Sequence, residues 1–296
     1  ALKTLNAGFT TIRNVGSDAW NDVGLNQAIE AGQVPGPRIV PAGYAFGATG
    51  GHCDSTFFPP SMDQKSPYNA DSPEQARKSV REIRKYGAQA IKICATGGVF
   101  SRNTEPGQQQ MSLAEMKSIA DDAHMYGLKV AAHAHGASGI KDAIRAGIEL
   151  AKKHGTWLSM DIYNTEYTQS EGKKNGVLED NLRKDREIAE TQREGFRKAH
   201  KAGVKMVYGT DTGVYPHGDN GKQFRWMVQY GMTPTQAIQA ATYNSSLALA
   251  RNDVGVIEAG RFADIVAVKG DPTVDVTLLE QVNFVMKNGK VYKEEK

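Results

Sequence analysis

A short apolar run, a loop and an amphipathic stretch recur along this chain, and that alternation limits its fold more than any other feature. Strand-like runs are read at Thr10–Val15, Arg38–Ala42, Ala90–Ala95, Lys129–His133, Trp157–Tyr163 and Val204–Tyr208. Helical stretches fall between them at Ser72–Tyr86, Ser112–Tyr126, Gly136–Ala146 and Asn181–Lys201. Asp71-Ser72-Pro73-Glu74 and Ser112-Leu113-Ala114-Glu115 are helix starts, the second a capping box. Gly87, Gly127 and Gly203 stop helices just before the next strand. Strands that alternate with helices pair in parallel. A doubly wound sheet and a closed barrel both satisfy this pattern, and 296 residues suffice for a barrel of ~250 residues with an appendage.

The rhythm breaks once. Between His135 and Trp157 a helix ends at Gly147 and a second helical stretch, Ile148–Lys153, follows at once, whereas elsewhere every helix is followed by a strand. We read Gly147–Ile148 as the place where a strand is missing. Six strands are visible, and one there with one before residue 1 would make eight. The chain opens at Ala1 in what reads as mid-helix, with no initiator Met or signal peptide, so residues are expected upstream. Past Tyr243 the texture becomes purely β: Ala263–Val268 and Asn283–Tyr292 read as strands, with a hairpin turn at Asn288-Gly289.

Composition removes several function classes. Lysines and arginines number 36 against 33 acidic residues, a net +3 without a basic run, which argues against nucleic acid and membrane surfaces as partners. No apolar stretch approaches the ~20 residues that cross a bilayer. Two cysteines, Cys53 and Cys94, cannot build the disulfide framework of a small secreted domain.

The residues with chemistry gather where strands end, the place barrel enzymes build their sites. Lys92 sits inside AIKICATGG, on the opposite face from Ile91 and Ile93. It either snorkels outward or is buried, and a buried lysine must be modified or paired. His133 and His135, in AAHAHG, share one face of their strand, and such a pair binds a ligand about as often as it binds nothing. Asp211 closes VYGTD, as a turn or cap aspartate or as a metal ligand that also shuttles a proton. His52, in the glycine-rich ATGGHCD, is a loop histidine exposed to solvent or one that closes over a ligand. Arg102 is a surface arginine or the partner of a substrate carboxylate. Tyr163 and Tyr208 read as core aromatics.

Taken in order, Lys92 in IKICATGG, His133 in AAHAHG and Asp211 in GTDTG resemble the metal ligands of strands four, five and eight of the amidohydrolase superfamily. The tail MTPTQAIQAATYNSSLALA, VGVIEAGRFADIVAVKGDP and VMKNGKVYK resembles that superfamily's closing helix and β-sandwich return. Within it, the IK-x-x-A-T-G-G-V and A-H-A-H-G segments are most similar to the Xaa-Pro dipeptidase (prolidase) branch, and imidazolonepropionase-like enzymes share much of the tail.

This resemblance implies a (β/α)8 barrel over residues 1–250 and the C-terminal part of a small β-sandwich over 251–296. It implies two divalent ions, zinc being expected, bridged by a carboxylated Lys92, with His133 on one ion and Asp211 on the other. A bridging hydroxide would attack the amide carbonyl of a dipeptide or N-acyl amino acid. Asp211 would carry its proton to the leaving amine while His52 polarises the carbonyl. His135 and Arg102 would hold substrate. The family's strand-one His-X-His pair and strand-six histidine do not occur in this sequence. Alternatives are an imidazolonepropionase-like cyclic amide hydrolase, a deaminase, or a non-catalytic barrel serving as a scaffold. A homo-oligomer acting on a small molecule or dipeptide, in cytoplasm or periplasm, completes the expectation.

Overall fold

The computed structural model describes residues 1–148 and 157–295. In chain order its elements are α1 (Leu2–Asn6), β1 (Thr11–Arg13), α2 (Asn21–Glu30), β2 (Arg38–Val40), α3 (Pro73–Lys85), β3 (Ala90–Cys94), α4 (Leu113–Met125), β4 (Lys129–His133) and α5 (Ala137–Arg145). These are followed by β5 (Trp157–Ser159), α6 (Ile162–Glu171), α7 (Glu179–Lys201), β6 (Lys205–Val207), α8 (Gln223–Gln229), α9 (Pro234–Gln239), α10 (Ser245–Ala248), β7 (Ile265–Ala267), β8 (Phe284–Lys287) and β9 (Lys290–Glu294). Among the described residues no helix is long and apolar enough to cross a membrane.

Contacts divide the chain into two compact units. One comprises Arg13–Ala28 and Ile39–Gly155. In it β3 and β4 pair in parallel, with Lys92 opposite Ala131 and Cys94 opposite His133. Ile91, Ile93 and Val130 pack with Val80 and Ile83 of α3 and Met116 and Ile119 of α4 in one buried cluster. Burying those alternate strand positions against helices leaves Lys92, Cys94 and His133 on the other face. Local chemistry sets the helix limits. The Ser72 hydroxyl accepts from the Gln75 N–H, Ser112 and Glu115 form the capping box, and Gly87 and Gly127 close α3 and α4 at φ 104° and 72°.

The other unit comprises Ala1–Ile12, Ile29–Arg38 and Thr156–Lys296. Here β5 and β6 pair in parallel, and β7, β8 and β9 form an antiparallel sheet in that order. The β8–β9 turn carries positive φ at both Asn288 (52°) and Gly289 (74°), the conformation an Asn-Gly hairpin favours. Ile162, Phe196, Met206 and Met227 form one core of this unit, while Leu5, Val282 and Val285 form another.

Two expectations change. The run Trp157–Tyr163 is a strand only as far as Ser159, and Ile162 opens α6 fully buried among Phe196 and Met206. A short apolar run does not by itself separate strand from buried helix, and here tertiary burial decides. Nor is every helix followed by a strand, since α6 leads into α7 through a turn at Gly176 (φ 81°).

At Gly147 the helix α5 closes as the sequence suggests. Gly147 (φ 85°) donates to the Ile144 carbonyl at 3.1 Å, and Ile148 donates to Ala143 at 3.0 Å, a continuous helix stop with Ile148 buried in the core. Beyond Ile148, the second helical stretch expected there lies outside the described residues.

Candidate active site

The faces set by β3 and β4 bring three histidines together. β4 ends at His133, and the backbone N–H of His135, two residues on, donates to the Thr96 hydroxyl at 3.0 Å. The His133 and His135 ring centroids are 4.6 Å apart. The glycine-rich loop after β2 brings His52 to the same place, with its ring centroid 4.3 Å from that of His133.

Glycine permits this approach. A Cβ on Gly98 would lie 2.3–2.5 Å from three atoms of the His52 ring, so that ring rests on bare backbone. His52 Nδ1 hydrogen-bonds the buried Ser101 hydroxyl at 3.0 Å, and its backbone N–H donates to Gln110 Oε1 at 2.9 Å. Ser101 in turn pairs with the buried Thr104 hydroxyl at 2.5 Å.

His133 is surrounded by protein although solvent still reaches one edge. Burial, then the neighbouring His52, Lys92 and His135, hold its imidazole well below the ordinary 6.5, so it is neutral at physiological pH. Its Nε2 lies 3.3 Å from the Gly97 carbonyl, and a carbonyl only accepts. The proton is therefore on Nε2, which places the lone pair on Nδ1. A neutral imidazole whose tautomer is fixed by a backbone carbonyl has the form a metal ligand requires. Lys92, which acts electrostatically on His133, lies on the same face. Its ammonium has no lone pair to give a metal.

Arg102 does not join this group. It is exposed, its backbone N–H donates to the Thr56 hydroxyl at 3.0 Å, and its guanidinium lies 5.7 Å from the Phe57 ring centroid.

Asp211 belongs to the other unit and is described within it. Strand β6 ends at Val207, so Asp211 stands in the following loop instead of closing the strand as expected. It has φ 47°, a left-handed conformation uncommon outside glycine and found preferentially in functional loops. Asn164, in the first turn of α6, donates through Nδ2 to Asp211 Oδ2 at 2.9 Å and to Asp161 Oδ2 at 3.0 Å. Tyr163 is buried and Tyr208 packs against its unit's core, as their sequence positions suggest.

As ligands for a divalent ion, His133 fits by neutrality and tautomer, and Asp211 fits as a hard oxygen donor. Among the described residues no three histidine, cysteine, aspartate or glutamate side chains gather as a metal-holding group.

Sequence reasoning passed over two supports of the site. Gly98 and Ser101 hold His52 while Gly97 turns its carbonyl to His133, and their signal was the glycine doublet shortly after a strand end. Cys53 and Cys94, 41 residues apart, are joined by a disulfide with Cα atoms 5.7 Å apart. Two isolated cysteines gave no spacing from which that pairing could be read.

Comparison with known proteins bears on what this arrangement does. The profile of the amidohydrolase family matches residues 1–293. The ochratoxinase of Aspergillus niger is 30% identical over 327 residues, covering 98% of this chain and 67% of that protein. A solved Xaa-Pro dipeptidase with methionine bound in its active site is 35% identical with a TM-score of 0.93, covering 99% of this chain and 77% of that one. A prolidase complexed with N-methylphosphonate-L-proline is 29% identical with a TM-score of 0.89, covering 99% and 78%.

Proposed function

The chain belongs to the amidohydrolase family, and from that premise we propose that it hydrolyses the amide bond of a dipeptide or N-acyl amino acid. The observation that carries this reading is the convergence of His52 and His133 on the strand face that Lys92 shares. The named activities of its relatives, an ochratoxinase, an Xaa-Pro dipeptidase and a prolidase, support it. Family membership also supports the finer architecture, a (β/α)8 barrel with a small β-sandwich to which β7, β8 and β9 contribute.

The family generally uses divalent metals. In our reading His133 Nδ1 and a carboxylated Lys92 would hold metal, with zinc the best match to nitrogen and oxygen ligands. When bound, two such ions supply a water of lowered pKa and polarise the amide carbonyl.

The chain's own residues do the rest. His52, oriented by the Ser101 hydroxyl at its Nδ1, turns its other ring nitrogen, Nε2, to the amide oxygen as negative charge develops there. Within its own unit the Asp211 carboxylate, held by the Asn164 amide, is a group suited to accept and pass on a proton. His135, beside His133, is the further side chain of this group that would contact substrate.

Metal analysis combined with a hydrolysis screen tests the reading. The screen contains N-acyl amino acids, ochratoxin, and dipeptides with proline and basic C-termini. Metal-dependent release of a free amino acid is expected. A metal-loaded protein that cleaves none of these amides would overturn it.

A further inference from the structure

The loop that carries His52 is fastened to β3 at both of its ends. Phe46 pairs with Ile93: its N–H donates to the Lys92 carbonyl at 3.1 Å, and its own carbonyl accepts from the Cys94 N–H at 3.0 Å. The chain then leaves the strand at Gly47, where a Cβ would lie 3.2 Å from the Cys94 carbonyl oxygen and 3.8 Å from the Cys53 Cβ. It comes back at Cys53, bonded to the sulfur of Cys94. Just beyond the second fastening the Asp54 carboxylate accepts the N–H group of Gly50 inside the loop and those of Ser55 and Ser66 after it, each at 2.8 Å. His52 is the residue directly before the crosslink. The crosslink's other end, Cys94, is the register partner of His133, whose ring His52 faces.

We propose that Cys53 and Cys94 are positioning residues, whose disulfide holds the His52 imidazole over His133 in the geometry that polarises the amide carbonyl. The inference rests on the amide-hydrolase reading for what His52 does, and on the fold alone for where His52 is held. The physical reason is confinement. Each hydrogen bond to His52 is a single polar contact that water can replace, so its net contribution is small. A covalent link on the adjacent residue instead removes whole conformations from a loop already closed at its other end. A displacement of about 1 Å at a reacting group lowers turnover by about a hundredfold, so confinement matters more for rate than for folding. Reduction is balanced by a dithiol. Dithiothreitol supplies two electrons and two protons, the S–S bond breaks to two thiols, and the reagent closes to its cyclic disulfide.

The test uses the full chain loaded with divalent metal, as oxidised wild type, dithiothreitol-reduced wild type, Cys53→Ser, Cys94→Ser and the double variant. Peptide mapping without reductant should recover the Cys53–Cys94 crosslink. Amide hydrogen exchange over residues 47–56 should quicken about tenfold in every crosslink-free form, while β3 and β4 keep their protection. On an amide substrate from the screen, kcat should fall about tenfold to a hundredfold with KM nearly constant. The same loss should be absent when the crosslink is removed from His52→Ala.

Free thiols at both cysteines in the air-oxidised protein would overturn the proposal, as would unchanged exchange over 47–56. An equal kcat loss in the His52→Ala background would make the bond merely structural and overturn it too. If no amide is cleaved by any form, the hydrolase reading falls, while crosslink mapping and exchange still decide whether the disulfide holds the loop. The reduced wild type, which carries no substitution, keeps the test valid if a serine variant fails to fold.

Discussion

The imidazoles of His52 and His133 face each other with ring centroids 4.3 Å apart and planes tilted by 42°. One ring comes from a glycine-rich loop and the other from the end of β4. Two cationic rings at that distance would repel, and burial already disfavours charge on His133. His133 is therefore suited to stay neutral beside His52, with its Nδ1 lone pair free of the Gly97 contact.

Gly98 is the floor beneath the first of these rings. Because any Cβ there would overlap the His52 imidazole at 2.3 Å, Gly98→Ala should push that ring off His133 while the rest of the unit folds normally. We expect kcat to drop by about a hundredfold with circular dichroism and thermal midpoint close to wild type. Full activity in Gly98→Ala would mean that the placement of His52 is irrelevant to the reaction.

Lys92→Ala should abolish metal-dependent amide hydrolysis, because an alanine cannot carry the carbamate that the proposed metal pair needs. A short carboxylic acid added in solution should restore part of the rate by occupying the vacated space. Steady-state assays with and without such an acid decide this, and wild-type turnover in unsupplemented Lys92→Ala would exclude a carbamate.

Asp185, buried in α7, should make stability depend on pH. Desolvation raises its carboxyl above the ordinary 3.8, against the opposing hydrogen bonds from Gln169 and Thr165 and the charge of Arg193. The folded state therefore holds this proton more tightly than the unfolded chain does. Its stabilising effect is complete below 3.8 and is lost as pH rises through the folded-state value. Asp185→Asn should raise the neutral-pH thermal midpoint by about 2–4 °C, an advantage that shrinks on acidification. Calorimetry across that range checks the sign, and a lower midpoint for Asp185→Asn at neutral pH would refute it.

Arg38 and Asp264 form a nearly buried bidentate pair, side chains 14% and 6% exposed, and Asp264 also accepts the Asn288 N–H of the β8–β9 turn at 2.8 Å. Asp264→Leu removes the carboxylate and strands the guanidinium. It should lower stability by about 3–5 kcal/mol in urea unfolding, and a loss below about 1 kcal/mol would show that water compensates the arginine.

How much of this was legible beforehand follows from the range of each interaction. The parallel alternation, the Ser112–Glu115 capping box, the stops at Gly87 and Gly127 and the common face of His133 and His135 all depend on residues a few positions apart. Period-two side-chain geometry and helix-end hydrogen bonding act over that range, so the amino-acid order alone determined them. That Lys92 lies on the face opposite Ile91 and Ile93 was equally open to reading, whereas which of the two faces packs on the helices was settled by the fold.

Tertiary structure decided the rest. The end of β5 at Ser159, four residues short of the apolar run, depends on Ile162 finding a core with Phe196 and Met206. The left-handed turn at Asp211 and its hydrogen bond from Asn164, 47 residues away, have no local signature. His52 read equally well as an idle loop histidine until the fold set it on Gly98, joined its neighbour to Cys94 and turned its Nδ1 to Ser101, 49 residues on. Periodicity carries no information at those separations; only closure of the chain, with its apolar faces buried, determines which distant side chains meet.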